Sequence, residues 1–135
     1  MSTFPLRIVT PDGLLFDGEA QMVIVRAVTG DLAVMARHIN CVAPLGMGRA
    51  TIVNTDGSRR YAACIGGMLS VHEGQVSLVP TTFEWAESID AARAQLSQER
   101  AEKILHNKDS SAADLQLAEA RLRRALIRKS VASYK

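Results

Sequence analysis

The sequence predicts an α+β protein in which an N-terminal antiparallel β-sandwich is followed by a C-terminal antiparallel helical hairpin. Up to Trp85, short apolar runs alternate with turn dipeptides, which is typical of hairpin-connected strands. After Trp85 the chain contains neither glycine nor proline and is rich in strong helix formers. The charge changes at the same point, because residues 1–85 carry six Lys/Arg and seven Asp/Glu whereas residues 86–135 carry ten and seven. We therefore expect two domains, 1–85 and 86–135.

Six strands are predicted in the first domain, each bounded by turn residues. They comprise residues 6–9, 21–28, 50–54, 61–65, 68–72 and 75–80. In the second of these, apolar residues occupy both alternating sets of positions, so we expect a strand with neighbours on both sides. Asp17-Gly18 is predicted to be a turn. Gly66-Gly67 is predicted to be a bend or bulge between two strands, because the spacing that a phosphate-binding loop requires is missing.

Segment 30–48 is predicted to connect strands, yet it contains few polar residues. Met35, Ile39, Val42 and Met47 would be partly exposed in a loop, which favours an interaction surface. Alternatively, these residues close one end of the sandwich core. The sequence leaves both interpretations open.

The second domain is predicted to hold two helices. Ser88 is expected to cap the first, with Asp90 in its first turn, and this helix runs to about Leu105. Ser111 begins a capping box that opens the second helix. The apolar stripe consists of Ile89, Ala92, Leu96 and Ile104 on the first helix and of Leu115, Ala118, Leu122, Ala125 and Leu126 on the second. Because a narrow, alanine-rich stripe buries little apolar area, we expect a hairpin that can exchange its packing partner.

The chain lacks the motifs of an enzyme, a metalloprotein or a nucleic-acid-binding protein. No G-x-x-x-x-G-K-[ST], H-E-x-x-H or G-x-S-x-G motif occurs, so no catalytic residue is predicted. His38, His72 and His106 are scattered, and no metal site is expected. Cys41 and Cys64 lie among apolar neighbours and are expected to be buried, reduced thiols. The net charge of +2 is too small to indicate nucleic acid.

Two further features concern the membrane. No apolar run approaches the roughly 20 residues that cross a bilayer. The N-terminal residues lack the charged start and the long apolar stretch of a secretory signal. We therefore expect a chain that stays in the cytosol and does not span the membrane.

Arginines on the two predicted helices form the sharpest local pattern. Arg93 and Arg100 are seven residues apart and lie on nearly the same helical face. Arg121, Arg124 and Arg128 follow an i, i+3, i+7 pattern on the second helix. A folded hairpin would bring guanidinium groups from both helices together, and arginine forks match phosphate oxygens.

Two carboxylates complete this hypothetical phosphate cage. Asp90 or Glu84 would accept hydrogen bonds from an adenine amine or from ribose hydroxyls. The same spacing also fits a solvated basic face on which Asp90 pairs with Arg93. The pattern alone does not establish binding.

The whole chain resembles the epsilon subunit of F-type ATP synthases, whose motifs it matches in order. Residues 30–34, GDLAV, correspond to the family's G-[ED]-[FL]-x-V, and His38 to a family histidine. Residues 65–71, IGGMLSV, are similar to S-G-G-x-L-x-V with the first serine replaced. Residues 89–94, IDAARA, match the ATP-binding motif I/L-D-x-x-R-A, which is the most specific of these similarities.

The resemblance implies a set of functional residues. Those implied to contact a nucleotide are Glu84, Asp90, Arg93, Arg100, Arg124 and Arg128. The sandwich is implied to bind the gamma subunit along one face and the membrane ring of c subunits at one end, near His38. At residues 36–41 the family's P-G-H-A-P-L is replaced by ARHINC, so we expect a more flexible loop there.

The implied role is that of a non-catalytic rotor subunit that couples proton- or sodium-driven rotation of the c-ring to ATP synthesis. Its hairpin would alternate between a folded form and an extended form that contacts the alpha and beta subunits and inhibits hydrolysis. ATP, with or without Mg, would be a regulatory ligand, and no cofactor is required. The subunit would lie on the cytoplasmic side of the bacterial plasma membrane and meet the membrane only through the complex. The residues alone leave open a stand-alone ATP-binding or adaptor module with no rotary complex.

Overall fold

A computed structural model describes residues 2–134 and contains ten strands, two α-helices and one short 3-10 helix. The strands are β1 Phe4–Thr10, β2 Gly13–Ala20, β3 Met22–Ala27, β4 Gly30–Met35, β5 Cys41–Pro44, β6 Met47–Val53, β7 Arg59–Ile65, β8 Met68–His72, β9 Gln75–Val79 and β10 Thr82–Trp85. The helices are the 3-10 helix Ala86–Ser88, α1 Ala91–His106 and α2 Ala112–Ala132. Neither α-helix of this described part is long and apolar enough to cross a membrane. The chain divides into two compact units between Trp85 and Ala86.

The first unit is a sandwich of two five-stranded sheets, as the sequence predicts. One sheet has the order β2-β1-β9-β8-β5 and the other the order β10-β7-β6-β3-β4. All pairs are antiparallel except β1 with β9. Alternate residues of the strands point inward and form one apolar core, which includes Leu6, Ile8, Val23, Val25, Ile52, Leu69 and Leu78.

The six predicted strands are confirmed as β1, β3, β6, β7, β8 and β9, whereas β2, β4, β5 and β10 were not predicted. Asp17-Gly18 is not a turn, because both residues lie in β2 opposite Arg7 and Leu6. The prediction failed because Asp-Gly usually marks a turn, while here an edge strand places Asp17 beside Arg7, with 3.4 Å between Oδ2 and Nη2. The predicted interior strand is β3, which pairs with β4 on one side and β6 on the other.

The apolar segment 30–48 is not a connecting loop, since it contains β4, β5 and the start of β6. Val34 is fully buried and helps to form the core. Met35, Ile39 and Val42 remain 53%, 77% and 63% exposed. The inward side of β4 joins the core, whereas the end of β4, the following loop and β5 present apolar side chains to solvent. The exposure of these side chains is confirmed, and the interaction surface stays a prediction.

Gly66 and Gly67 form the bend between β7 and β8, as predicted. Their φ angles are 68° and 94°, in the left-handed region that glycine tolerates. A Cβ on Gly67 would lie 2.1 Å from the carbonyl oxygen of Val79. Glycine is therefore required at this position by both conformation and space.

The second unit is the predicted helical hairpin, with two corrections. Asp90, not Ser88, caps α1, because Ser88 ends the 3-10 helix. Leu96 does not belong to the buried stripe, since it is 52% exposed. Instead, alanines at heptad spacing bury the contact between the helices: Ala94 and Ala101 on α1, Ala118 and Ala125 on α2. Ala92 and Leu126, also predicted in the stripe, are exposed.

Candidate functional site

The two helices of the hairpin meet along a seam formed by the buried alanines. Gln98 and Lys129 each follow one of these alanines by four residues, and the Lys129 Nζ donates a hydrogen bond to the Gln98 Oε1 at 3.3 Å. Residues at equal offset from the seam therefore lie on the same side of this antiparallel pair.

Five arginines share the other side of the hairpin. Arg93, Arg100 and Arg124 each precede a buried alanine by one residue. Arg121 and Arg128 each follow a buried alanine by three residues, which is within about 40° of the same direction at about 100° per residue. We call the side of the hairpin formed by these five residues the arginine flank.

Four of these guanidinium groups have no partner among residues 2–134. Arg93, Arg100, Arg121 and Arg124 are exposed, and their side chains make no hydrogen bond or ion pair with any of residues 2–134. Arg128 is half-buried and has an interaction of its own. Clustering like charges without counter-charges costs free energy, so the arginine flank is a surface that an anion would stabilise.

The other side of the hairpin differs in charge. Glu102 and Glu119 each follow a buried alanine by one residue and therefore lie there. Arg123 pairs with Glu119 at 3.3 Å and is thereby neutralised. The hairpin thus has one strongly basic side and one side of mixed charge.

Asp90 has a structural role at the start of α1. Its Oδ1 accepts a hydrogen bond from the backbone N–H of Arg93 at 3.1 Å, which caps the helix. The carboxylate does not pair with the Arg93 guanidinium, which makes no hydrogen bond or ion pair with any of residues 2–134. The solvated ion pair that the sequence allowed between these two residues is therefore absent.

Glu84 and His38, the remaining predicted site residues, lie in the sandwich. Glu84 is half-buried on β10, opposite Ala63, and has an interaction of its own. His38 lies in the loop between β4 and β5, with its Nδ1 2.8 Å from the carbonyl oxygen of Ile39 and 3.8 Å from the Cys41 Sγ. Neither residue belongs to the hairpin.

The loop around His38 is tied to the neighbouring β8–β9 turn. The Asn40 Nδ2 donates to the Glu73 Oε1 at 3.2 Å, and the Glu73 N–H donates to the Asn40 Oδ1 at 2.9 Å. Arg37 adopts a φ of 68°, a conformation that glycine accepts at no steric cost. The loop therefore keeps the backbone turn that a glycine would favour, and a side-chain amide now holds it in place.

Cys64 is buried, as predicted, and burial raises the pKa of its thiol to about 12. Cys41 is only half-buried, contrary to the prediction, because β5 is an edge strand. Within residues 2–134, no group of three or more His, Cys, Asp or Glu side chains is arranged to hold a metal ion.

Comparison with known proteins assigns both units to one family. Residues 3–86 match the family model of the ATP synthase delta/epsilon chain β-sandwich domain, and residues 87–133 match that of its long α-helix domain. The ATP synthase epsilon chain of Bacillus velezensis is 45% identical over 132 residues, which cover 98% of each chain. That of Exiguobacterium sp. is 36% identical over 135 residues, covering 100% of this chain and 99% of the relative.

A solved structure shows the same fold at low identity. A chain of the Euglena gracilis mitochondrial ATP synthase, in a structure of its OSCP, F1 and c-ring, superposes with a TM-score of 0.85 and 20% identity, covering 100% of this chain and 83% of that one. The β-sandwich followed by a helical hairpin is therefore a fold that a solved structure also contains. The protein belongs to the ATP synthase epsilon chain family.

Proposed function

We propose that this protein is a non-catalytic rotor subunit of a bacterial F-type ATP synthase and that its hairpin senses ATP. Family membership supports the rotor role, because both units match and the relatives are epsilon chains over nearly their whole length. In that role the sandwich binds the gamma subunit and the c-ring, and it couples proton- or sodium-driven rotation of the ring to ATP synthesis. The subunit lies on the cytoplasmic side of the plasma membrane and contacts the membrane only through the complex.

The c-ring contact is proposed at the end of the sandwich that carries His38. Ile39 is 77% exposed beside this histidine, and Met35 and Val42 are exposed nearby in the chain. Exposed apolar side chains on an ordered loop are typical of a protein interface. The Asn40–Glu73 hydrogen bonds support docking, because they hold the loop in one conformation before it binds.

Substitution of Ile39 tests this contact. Ile39→Asp in a reconstituted complex is expected to reduce retention of the chain on purified c-ring, because a carboxylate would be buried in the interface. Leu14→Asp is the control, since Leu14 is 57% exposed on β2, at the opposite edge of the same sheet from β5. Equal retention of the two variants would contradict the proposed docking end.

The regulatory proposal rests on the arginine flank. Four exposed guanidinium groups without a partner among residues 2–134 are matched to the phosphates of ATP, which accept the bidentate hydrogen bonds that arginine donates. Asp90 lies at one end of the flank, where its second oxygen is available to the base or ribose. Glu84, which lies on β10 of the sandwich, is also proposed to contact nucleotide. No cofactor is needed, and ATP acts with or without Mg.

ATP would act by favouring the folded hairpin. Because the buried seam consists of alanines, packing of the two helices contributes little apolar area, and the folded form is easily exchanged for an extended one. In the extended form the arginines would face acidic residues of the alpha and beta subunits and inhibit hydrolysis. A ligand concentration a thousandfold above the dissociation constant stabilises the folded form by about 4 kcal/mol.

Calorimetric titration of the purified chain with ATP tests the nucleotide site. Arg93→Ala is expected to weaken binding about tenfold through loss of one charge-assisted contact. Arg123→Ala is the matched control, because Arg123 lies on the other side and already pairs with Glu119. Unchanged affinity in Arg93→Ala would remove Arg93 from the site.

A stand-alone adaptor that uses the hairpin to recruit a partner helix is the alternative. It predicts no association with a rotary complex. Purification of the tagged chain from its own cells distinguishes the two, since a rotor subunit brings the gamma and c subunits with it.

A further inference from the structure

The hairpin unit has two large, fully buried side chains, and neither belongs to the alanine seam. Ile89 and Val131 are each only 1% exposed. Every other buried residue between 86 and 134 is an alanine. Isoleucine and valine remove more apolar area from water than alanine does, so Ile89 and Val131 contribute more to packing than any residue of the seam.

The short loop between the helices determines which of their residues lie level. The Ser110 Oγ donates a hydrogen bond to the carbonyl oxygen of Ile104 at 2.8 Å, so the chain turns back close to the end of α1. This turn places the buried Ala101 of α1 level with the buried Ala118 of α2. The start of α1 is therefore level with the end of α2.

Val131 lies at the end of the hairpin where Ile89 enters α1. Ala94 and Ala125 are the next level pair of buried alanines, seven residues further along both helices. Val131 is six residues beyond Ala125, which brings it to the level of the 3-10 helix Ala86–Ser88. This 3-10 helix does lie against α2. Both large buried side chains are thus at the end of the hairpin opposite its loop.

We propose that Ile89 and Val131 form an apolar latch that holds the hairpin folded and must open before the extended form can arise. This inference rests on the proposed exchange between the two forms and names the contact that controls it. Ile89 directly precedes the cap Asp90, and from this position a side chain reaches the fourth residue of a helix, here the buried Ala94. Ile89 is thereby fixed on α1, and Val131 of α2 packs onto it.

The backbone around Val131 is also well ordered. The Tyr134 N–H donates to the carbonyl oxygen of Val131 at 2.9 Å, and the Ser133 Oγ donates to that of Ser130 at 2.6 Å. Helix ends usually fray first, because their backbone groups lack partners. With the latch we expect the reverse order, in which the end of α2 opens less readily than its alanine-packed part.

Amide hydrogen exchange of the full chain tests the latch. In the wild-type chain, amides of residues 129–132 are expected to exchange more slowly than those of residues 116–119, where only an alanine is buried. Val131→Ala should accelerate exchange in residues 129–132 roughly tenfold. Alanine has the higher helix propensity, so this acceleration would report lost packing and not a weaker helix. Amides of β3 should not change, which shows that the sandwich stays folded.

Two further variants separate the latch from general effects of truncation. Leu126→Ala removes more atoms from the same helix, but Leu126 is 44% exposed, so exchange should change less than about threefold. Ile89→Ala should accelerate exchange in residues 129–132 as much as Val131→Ala does. The double variant should add little to either, because loss of one side chain already opens the latch.

The outcomes distinguish the latch from the proposed function. Unchanged exchange in Val131→Ala, or additive effects of the Ile89 and Val131 variants, would overturn the latch and leave the proposed function intact. Added to an F1 sector depleted of epsilon, Val131→Ala should also inhibit ATP hydrolysis more strongly than wild type at the same ATP concentration. If exchange accelerates as predicted but inhibition does not increase, the latch is supported and the proposed inhibitory role of the extended form fails.

Discussion

Two substitutions of Asp90 distinguish its role as the cap of α1 from a direct contact between its carboxylate and the nucleotide. The Asp90 carboxylate caps α1 through the Arg93 N–H at 3.1 Å. Removing a capping side chain typically costs about 1 kcal/mol, and loss of a negative charge at an exposed helix N-terminus adds about 0.5 kcal/mol. Asp90→Ala should therefore destabilise the first turn of α1 by about 1.5 kcal/mol. Asp90→Asn keeps the cap and should cost no more than about 0.5 kcal/mol.

Amide hydrogen exchange measures this difference locally. A cost of about 1.5 kcal/mol corresponds to roughly tenfold faster exchange in the first turn of α1, whereas Asp90→Asn should change the rate about twofold. Asp109→Ala is the control, because this exposed carboxylate lies in the loop between the helices and its side chain makes no hydrogen bond or ion pair with the described residues. Equal exchange in Asp90→Ala and wild type would refute the capping argument.

Titration with ATP then isolates the chemical part. If the carboxylate contacts the nucleotide, Asp90→Asn should weaken ATP binding several-fold although the helix remains capped. If Asp90 acts only as a cap, Asp90→Asn should bind like wild type and only Asp90→Ala should lose affinity. We expect the first result, and the second would remove Asp90 from the ligand-binding residues.

Three further predictions concern the sandwich, where unfolding can be followed through Trp85, the single tryptophan of the chain. Gly67→Ala should destabilise the fold by more than about 3 kcal/mol, because its Cβ would meet a backbone carbonyl at 2.1 Å. Gly57→Ala, where φ is 86° but the space is open, should cost only about 1–2 kcal/mol. Similar urea midpoints for the two variants would contradict this prediction. Arg37→Gly should raise stability by about 1 kcal/mol, since it relieves a positive φ, and an unchanged or lower midpoint would show that the loop relaxes otherwise. The Cys64 thiol has a pKa of about 12 in the folded chain against an ordinary value of 9.0, so the unfolded chain loses this proton first. The free energy of unfolding should therefore fall by about 1.4 kcal/mol per pH unit above pH 9. Cys64→Ala should remove this contribution to the pH dependence of stability.

The strand content of the sandwich was only partly predictable, for a reason that the edge strands make clear. Interior strands such as β3 have apolar residues at both alternating sets of positions and neighbours on both sides, and this pattern identifies them. The unpredicted strands β2, β4, β5 and β10 are the four sheet edges. An edge strand buries fewer residues, so its sequence resembles that of a loop.

In the hairpin, the sequence did not predict which residues of α1 are buried. Its two helices and the Ser111 cap follow from propensity and capping chemistry, but the buried stripe on α1 does not. A search for large apolar residues selects Leu96, which is 52% exposed. Packing selects Ala94 and Ala101 instead, because only small side chains allow the two helices to approach closely. The face of a helix that is buried depends on its partner, which the local sequence does not contain.

The arginine flank was predicted in outline because seven-residue spacing is a local property. That arginines of both helices lie on one side of the hairpin required knowledge of which faces of the helices meet, and the buried alanines supply it. The absence of partners for Arg93 and Arg121 likewise follows only from the three-dimensional arrangement of the described residues.

The rate of ATP hydrolysis by an F1 sector depleted of its epsilon subunit tests the central claim. This claim is that the hairpin inhibits hydrolysis and that ATP relieves the inhibition. Added wild-type chain should inhibit hydrolysis at low ATP and release the inhibition as ATP rises. Arg93→Ala should inhibit at both ATP levels, because ATP no longer stabilises the folded hairpin, and Arg123→Ala should behave like wild type. Absence of inhibition at every ATP level, or equal release in Arg93→Ala, would contradict the account.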